Sequence, residues 1–163
     1  MITKIYLDMD GVLCDFEKKF TDLYGTFSLE KRDRKEWSRD WEDFILNKQA
    51  FEELDWFPGG EELLSYIQKH PKIHVEILSS SGGEKFHGEV TIQKIKWLRS
   101  HGINYEVNIV PGRKHKKDWA TPESVIIDDT PDVITSWEKA GGIGILHKDV
   151  KDTLNTLDNL LNK

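Results

Sequence analysis

Three short apolar segments of the chain have the pattern of buried β-strands: Lys4 to Leu7, His74 to Leu78 and Ser124 to Ile127. Each is rich in β-branched residues and is followed directly by polar ones, which is typical of strands covered on both faces. The segments 107–110 and 143–146 carry a weaker version of this pattern. We expect three strands, and these two segments are further candidates.

Apolar positions at helical spacing occupy three of the segments between the strands. These segments are 61–69, with Leu63, Leu64 and Ile67 on one face; 91–101, with Ile92, Ile95 and Leu98 on one face; and 131–140. The last follows Thr130, a good N-cap residue, and Pro131 suits the first helical position. Strands that alternate with helices predict a parallel α/β sheet, whose functional sites lie at the carboxyl ends of its strands.

The segment 16–56 differs from the rest of the chain because it is dense in charges and aromatic side chains and lacks strand patterns. It predicts a small helical insertion after the first strand. Its aromatic residues form either a satellite hydrophobic core or a cap that closes over a substrate. We therefore expect a core domain of residues 1–15 and 57–163 and a cap of residues 16–56.

The composition is that of a soluble globular protein, with 37% hydrophobic and 32% charged residues. No apolar run approaches the roughly 20 residues that a membrane span requires. The chain leads directly into a strand-like segment, so we expect no signal peptide. Cys14 is the only cysteine, which excludes an intramolecular disulfide and suits a reducing compartment. We expect a cytoplasmic protein.

The net charge of −6, from 23 basic and 29 acidic residues, argues against an extended nucleic-acid interface. A small anionic substrate remains compatible with this charge. Its site would have to be built locally, from a metal ion, a few lysines and backbone N–H groups.

A pair of carboxylates follows the first predicted strand, at Asp8 and Asp10, and Gly11 then permits a sharp turn. Residues two apart in a strand point to the same side, so the two carboxylates are expected to face one site. Buried paired carboxylates require a compensating cation or proton. Magnesium, which prefers hard oxygen ligands, would supply that charge. The alternative is a solvated turn with acidic caps.

The order of such motifs resembles the haloacid dehalogenase (HAD) phosphohydrolases. Their first motif is similar to residues 8–13, their second to Ser79 after a strand, and their fourth to Asp128-Asp129 after another strand. The third is a lysine before that last strand, which the basic run 113–117 supplies. The resemblance covers most of the chain and implies a Rossmann-like HAD core with a parallel sheet flanked by helices, plus a small helical cap inserted after the first strand.

The resemblance also implies a mechanism. Asp8 would attack phosphorus and form an aspartyl-phosphate, and Asp10 would act as general acid and then general base. Magnesium would be held by the Asp8 carboxylate, the Asp10 carbonyl and Asp128, while Asp129 acts through water or orients the other ligands.

The remaining motif residues would act on the phosphoryl group. Ser79 would hydrogen-bond one of its oxygens, and the N–H groups near Ser80 would supplement it. Two adjacent lysines, Lys116 and Lys117, are candidates for the third motif, and we expect Lys117 because it is nearer the following strand. Lys94 would also reach towards the phosphate.

Within the HAD enzymes, the 5′(3′)-deoxyribonucleotidases are the most similar group, at residues 8–13, Phe16, 54–59 and 126–129 and in the helix that carries Lys94 and Trp97. Phe51 lies where that group has a base-contacting aromatic residue. The resemblance implies a magnesium-dependent phosphatase of nucleoside monophosphates, although this cap is shorter than the typical one. A phosphatase of sugar phosphates or of nucleic-acid 3′ ends, and a non-catalytic HAD-fold binding protein, are the alternatives.

Overall fold

The predicted strands form one sheet in the computed structural model, which describes residues 1–162. The strands are β1 (Lys4–Leu7), β2 (His74–Ser80), β3 (Glu106–Val110), β4 (Ser124–Asp128) and β5 (Ile143–Leu146). All neighbouring pairs are parallel, and the order across the sheet is β3-β2-β1-β4-β5. The α/β fold expected from the sequence is confirmed, including both weaker strand candidates.

The central position of β1 determines which strand ends are neighbours. Its last residue, Leu7, pairs with Ile77 of β2 on one side and with Ile127 of β4 on the other. All three side chains are fully buried. A shift of one residue in either pairing would turn buried side chains to the opposite face, so this register is strongly specified.

Helices connect the strands and cover both faces of the sheet. The α-helices of the described chain are α1 (Phe16–Tyr24), α2 (Arg34–Glu42), α3 (Gly60–Gln68), α4 (His87–Ser100), α5 (Pro131–Lys139) and α6 (Val150–Leu161). Thr130 is the N-cap of α5 and Pro131 its first residue, as predicted. The Thr130 hydroxyl bonds Asp129 Oδ1 at 3.3 Å instead of capping the helix. The final helix, α6, was not predicted.

The buried face of α4 agrees with the predicted one at Leu98 but not at Ile92. Ile92 is 57% exposed, whereas the buried residues of this helix are Val90, Gln93, Lys94, Trp97 and Leu98. Two of the polar groups on this face are satisfied by backbone carbonyls: Gln93 Nε2 donates to Ile45 O at 2.8 Å, and Trp97 Nε1 donates to Leu54 O at 2.7 Å. Hydrogen bonds to the insertion therefore place Gln93 and Trp97 on the buried face, whereas the apolar pattern of the sequence had placed Ile92 there.

The insertion after β1 is helical, with α1 and α2 followed by a π-helical turn at Asp43–Asn47 and a 3₁₀ turn at Ala50–Glu53. Its two ends meet where Trp56 pairs with Cys14 in an isolated antiparallel bridge. The division into a core and a cap at residues 16 and 56 stays a prediction. Among residues 1–162, no helix combines the length and apolar character needed to cross a membrane.

Two fully buried tryptophans provide a matched test of the bond between α4 and the insertion. Trp97 Nε1 donates to Leu54 O, whereas Trp137 Nε1 has no hydrogen-bond partner among the described residues. Trp97→Phe leaves a buried carbonyl unpaired, so it should destabilise the protein by about 1–3 kcal/mol more than Trp137→Phe does. Urea denaturation of both variants measures the difference. Equal losses would show that the indole hydrogen bond contributes nothing to stability.

Candidate active site

Three carboxylates meet at the carboxyl edge of the sheet. Asp8 directly follows β1, and its N–H donates to Ile127 O at 3.0 Å, which extends the pairing with β4 by one residue. One oxygen each of Asp8, Asp128 and Asp129 lies within 4.8 Å of the others. Asp8 and Asp128 are buried, whereas Asp129 is exposed. The structure therefore brings these predicted metal ligands together.

A tight turn after Asp8 returns Asp10 to the same cavity. The Met9 carbonyl accepts the N–H groups of residues 12, 13 and 14. Gly11 has φ +79°, and a Cβ there would overlap the carboxyl group of Asp129. Glycine is therefore required at position 11 both by its backbone conformation and by the close approach of Asp129.

The prediction that Lys117 is the third-motif lysine is wrong, because Lys116 lies beside the carboxylates instead. Lys116 Nζ is 3.1 Å from Asp8 Oδ1 and 2.6 Å from Asp128 Oδ2, and the residue is 3% exposed. Lys117 is exposed. Both lie in a 3₁₀ helix at Arg113–Trp119, in which residues three apart share a face. Arg113 and Lys116 accordingly both line the cavity, and Lys117 turns away from it.

The pKa values of the site reflect this crowding of charge. Burial and the charge of Asp8 raise the pKa of Asp128 to about 6, although Lys116 opposes the shift. Desolvation in the cleft and the charges of Asp8, Asp128 and Asp10 raise the pKa of Asp129 to about 7. Burial alone would lower the pKa of Lys116, but the charges of Asp8 and Asp128 raise it above its ordinary value. The site therefore needs additional positive charge, and its oxygen donors suit a divalent cation such as magnesium.

Lys94 is the second cation of the site, at 1% exposure. Its Nζ donates to Asp10 Oδ2, Ser79 Oγ and Ser80 O, each at 2.8 Å. Within residues 1–162, the main cavity is lined by Asp10 and Ser80 but by neither Ser79 nor Lys94. Lys94 thus contacts Asp10 and Ser80 from the protein side, and Ser79, which the sequence predicted to bind a phosphoryl oxygen, is fully buried with its hydroxyl bonded to Lys94.

The cavity has a volume of about 800 Å³ and two contrasting walls. Asp8, Asp10, Lys116 and Asp129 form the polar wall. The insertion supplies an aromatic wall, formed by Phe16, Phe27, Trp37, Trp41 and Phe51. The predicted contact residue Phe51 is almost fully buried at 2% exposure and stacks on Phe16, with ring centroids 5.5 Å apart. Phe16, Trp37 and Trp41 are half-buried and also line the cavity.

His147 belongs to the cavity lining and was not predicted from the sequence. Its N–H donates to Asp128 O at 2.8 Å, and its ring Nδ1 lies 2.7 Å from Thr153 Oγ1. Burial lowers the pKa of this imidazole, which favours its neutral form. A signal was available, because His147 directly follows the segment 143–146, just as Asp8, Ser79 and Asp128 were found at the ends of their predicted strands.

The sequence matches the family model described as 5′ nucleotidase, deoxy (pyrimidine), cytosolic type C protein (NT5C) over residues 1–155. The chain belongs to this family, and the resemblance to HAD phosphatases, with the phosphatase activity that it implied, is confirmed. No protein of curated function matches the chain in sequence.

Solved structures of hydrolases, one of them a HAD family enzyme, share the fold at low sequence identity. A hydrolase from Pseudomonas syringae superposes with a TM-score of 0.60 at 17% identity, covering 96% of this chain and 98% of that one. A hydrolase from Streptococcus pneumoniae TIGR4 gives 0.57 at 15% identity, with 96% and 98% coverage. A HAD family enzyme from Bacteroides thetaiotaomicron, in complex with magnesium and inorganic phosphate, gives 0.51 at 12% identity, with 91% and 95% coverage. These likenesses concern the fold.

The raised pKa values of Asp128 and Asp129 predict how pH affects the metal-free protein. Because folding raises these two pKa values above the ordinary 3.8, the folded state binds protons more tightly than the unfolded state does. The two carboxyl groups therefore contribute less stability as the pH rises from about 4 to about 7. In EDTA, their contribution to the melting temperature should fall across this range. Magnesium should raise the melting temperature more at pH 8 than at pH 5.5, because protons compete with it for the ligands.

Asp128→Asn provides the control for this measurement. It removes one of the two titrating groups and one ligand, so both the pH dependence in EDTA and the magnesium effect should shrink. An effect of magnesium that is the same at both pH values, or unchanged in Asp128→Asn, would contradict a cation site at these carboxylates.

Proposed function

We propose that this family member hydrolyses deoxynucleoside monophosphates, through an aspartyl-phosphate formed on Asp8. One observation carries the proposal: the Asp8 carboxylate, paired with Lys116, faces the same cavity as an aromatic wall. The polar wall suits a phosphoryl group, and the aromatic wall suits a flat base. A small phosphorylated substrate also agrees with the net charge of −6, which disfavours an extended nucleic-acid interface.

In the proposed reaction, Asp8 is the nucleophile and Asp10 transfers the protons. As the Asp8 oxygen bonds to phosphorus, the bond between phosphorus and the leaving oxygen breaks, and Asp10 gives that oxygen its proton. Asp10 then accepts a proton from water while the water oxygen attacks phosphorus. This second displacement releases inorganic phosphate and restores the Asp8 carboxylate.

Charge on the phosphoryl group is the main obstacle to attack by a carboxylate. The Lys116 ammonium, which contacts both Asp8 and Asp128, would offset part of this charge. Magnesium held by Asp8, Asp128, Asp129 and the Asp10 carbonyl would offset more of it and polarise the phosphoryl oxygens. The Bacteroides enzyme of the same fold, which binds magnesium and phosphate, agrees with this choice of ligand.

The aromatic wall is the part of the site that would select the substrate. Stacking of a base on an aromatic side chain contributes roughly 1–3 kcal/mol. Trp41 is the residue of choice for a test, because it is half-buried and lines the cavity. Phe51, the aromatic residue expected from the sequence, is less suitable because its burial against Phe16 makes it part of the core as well.

A cytoplasmic location belongs to the same proposal. The support for it is that the chain has a single cysteine, Cys14, whose buried free thiol suits a reducing compartment.

The two adjacent lysines provide a matched pair for the phosphoryl site. Lys116→Met should lower kcat by a factor on the order of 10²–10³, because it removes a buried positive charge beside the nucleophile. Lys117→Met should stay close to the wild type, because this side chain is exposed. Steady-state kinetics with p-nitrophenyl phosphate at fixed magnesium measures both. Thermal melting checks that each variant is folded. A large loss of kcat in Lys117→Met with a small loss in Lys116→Met would contradict the placement of Lys116 beside the nucleophile.

A substrate panel tests the nucleotidase proposal itself. We expect kcat/KM to be higher for deoxynucleoside monophosphates than for ribose 5-phosphate or glucose 6-phosphate. Trp41→Leu should reduce this preference by about 1–3 kcal/mol in transition-state stabilisation, while p-nitrophenyl phosphate is affected much less.

Two variants serve as controls for the panel. Trp56→Leu removes another half-buried indole, which packs on Trp97 and lies outside the cavity lining in the described part of the chain. It should leave the preference unchanged. Asp8→Asn should be inactive on every substrate, which assigns the activity to this site. Equal rates on nucleotides and sugar phosphates in the wild type would favour a general phosphatase instead.

A further inference from the structure

The ammonium group of Lys94 has no donor left for a substrate. A lysine ammonium carries three N–H bonds, and Lys94 directs them to Asp10 Oδ2, Ser79 Oγ and Ser80 O, all at 2.8 Å. The residue is 1% exposed, and the cavity lining within residues 1–162 does not include it. A phosphoryl oxygen could contact Lys94 only if one of these three bonds were broken.

Phe51 makes a further contact with Lys94. Lys94 Nζ lies 5.2 Å from the centroid of the Phe51 ring, and Phe51 itself lines the cavity. The ring face attracts the cation, so this contact also favours the observed position of the ammonium group.

We propose that Lys94 is a positioning residue, which holds the Asp10 carboxylate and the end of β2 in place, and that it is not a phosphate ligand. This inference rests on the proposed function, in which Asp10 transfers the proton. It also replaces the expectation from the sequence that Lys94 reaches the phosphate.

The contact has a specific consequence for Asp10. Since Oδ2 accepts a bond from a buried ammonium, the proton that passes to the leaving oxygen is carried by Oδ1. Oδ1 has only a weak neighbour, the Cys14 thiol, at 3.5 Å. Lys94 thereby holds one Asp10 oxygen and leaves the other for proton transfer, and it also holds Asp10 relative to Ser80, which lines the same cavity.

The test compares Lys94→Met, which keeps the length of the side chain but removes its charge, with Lys96→Met. Lys96 lies on the same helix, is 62% exposed at its side chain and pairs with Glu52 at 3.3 Å. Two substrates distinguish positioning of Asp10 from direct binding of the phosphate. An alkyl leaving group, as in a deoxynucleoside 5′-monophosphate, requires protonation by Asp10, whereas the nitrophenolate of p-nitrophenyl phosphate departs without it.

If Lys94 positions Asp10, Lys94→Met should lower kcat/KM for the nucleotide by about 10²-fold or more, the usual contribution of general acid catalysis. The fall in kcat/KM for p-nitrophenyl phosphate should be smaller than the fall for the nucleotide by about tenfold or more. Lys96→Met should change neither. Equal losses on both substrates, or no loss beyond that of Lys96→Met, would overturn the proposal.

A binding measurement decides the question without catalysis. Calorimetric titration of each folded variant with inorganic phosphate, at saturating magnesium, should give the same dissociation constant for Lys94→Met and the wild type within about threefold. A tenfold or greater weakening, about 1.4 kcal/mol, would contradict a role limited to positioning Asp10. A wild type that binds phosphate but hydrolyses neither substrate would refute the proposed function, while the titration would still decide the role of Lys94.

Discussion

Carboxylates crowd the carboxyl edge of the sheet, and their mutual repulsion is the constraint on which the other features of the site depend. Parallel pairing of β1 with β4 in a fixed register places Asp8 next to Asp128, and the turn at Gly11 brings Asp129 and Asp10 close by. Such a group is costly in a buried setting unless cations neutralise it. Lys116 and Lys94 supply two positive charges against four carboxylates, which leaves the site two charges short and suited to a divalent cation.

These two lysines bind different carboxylates, and only Lys116 lines the cavity, which is the basis of the separate roles proposed for them. Lys116 lines the cavity between the nucleophile and Asp128, so it can act on the phosphoryl group. Lys94 reaches Asp10 from the protein interior, together with two oxygens at the end of β2. Under the proposed function, Lys116 is thus available to the substrate, whereas Lys94 holds Asp10 and the end of β2 in place.

The sequence predicted the strands and the acidic pairs well, because a buried strand followed by polar residues is a local pattern. The same local rule could not choose between Lys116 and Lys117. That choice depends on the three-residue period of the 3₁₀ helix at Arg113–Trp119, and a basic run has no apolar positions to reveal such a period. The aromatic residues of the insertion were ambiguous for a similar reason. Phe20 is fully buried and Trp41 lines the cavity, yet both are aromatic residues in helical segments.

Helix α4 shows where a sequence pattern fails for a functional reason. Its isoleucines predicted one face, but the face that packs inward carries Gln93, Lys94 and Trp97, each buried and each hydrogen-bonded. Gln93 and Trp97 bind carbonyls of the insertion, and Lys94 binds Asp10 between them. One helix therefore contacts both the insertion that carries the aromatic wall and Asp10, the proposed proton-transfer group. Local propensity and global structure disagree most at functional sites, since there polar groups are buried for their chemistry. An exposed Ile92 beside a buried Lys94 is such a disagreement, and under the proposed function α4 is the element that connects the substrate-selecting wall with the proton-transfer group.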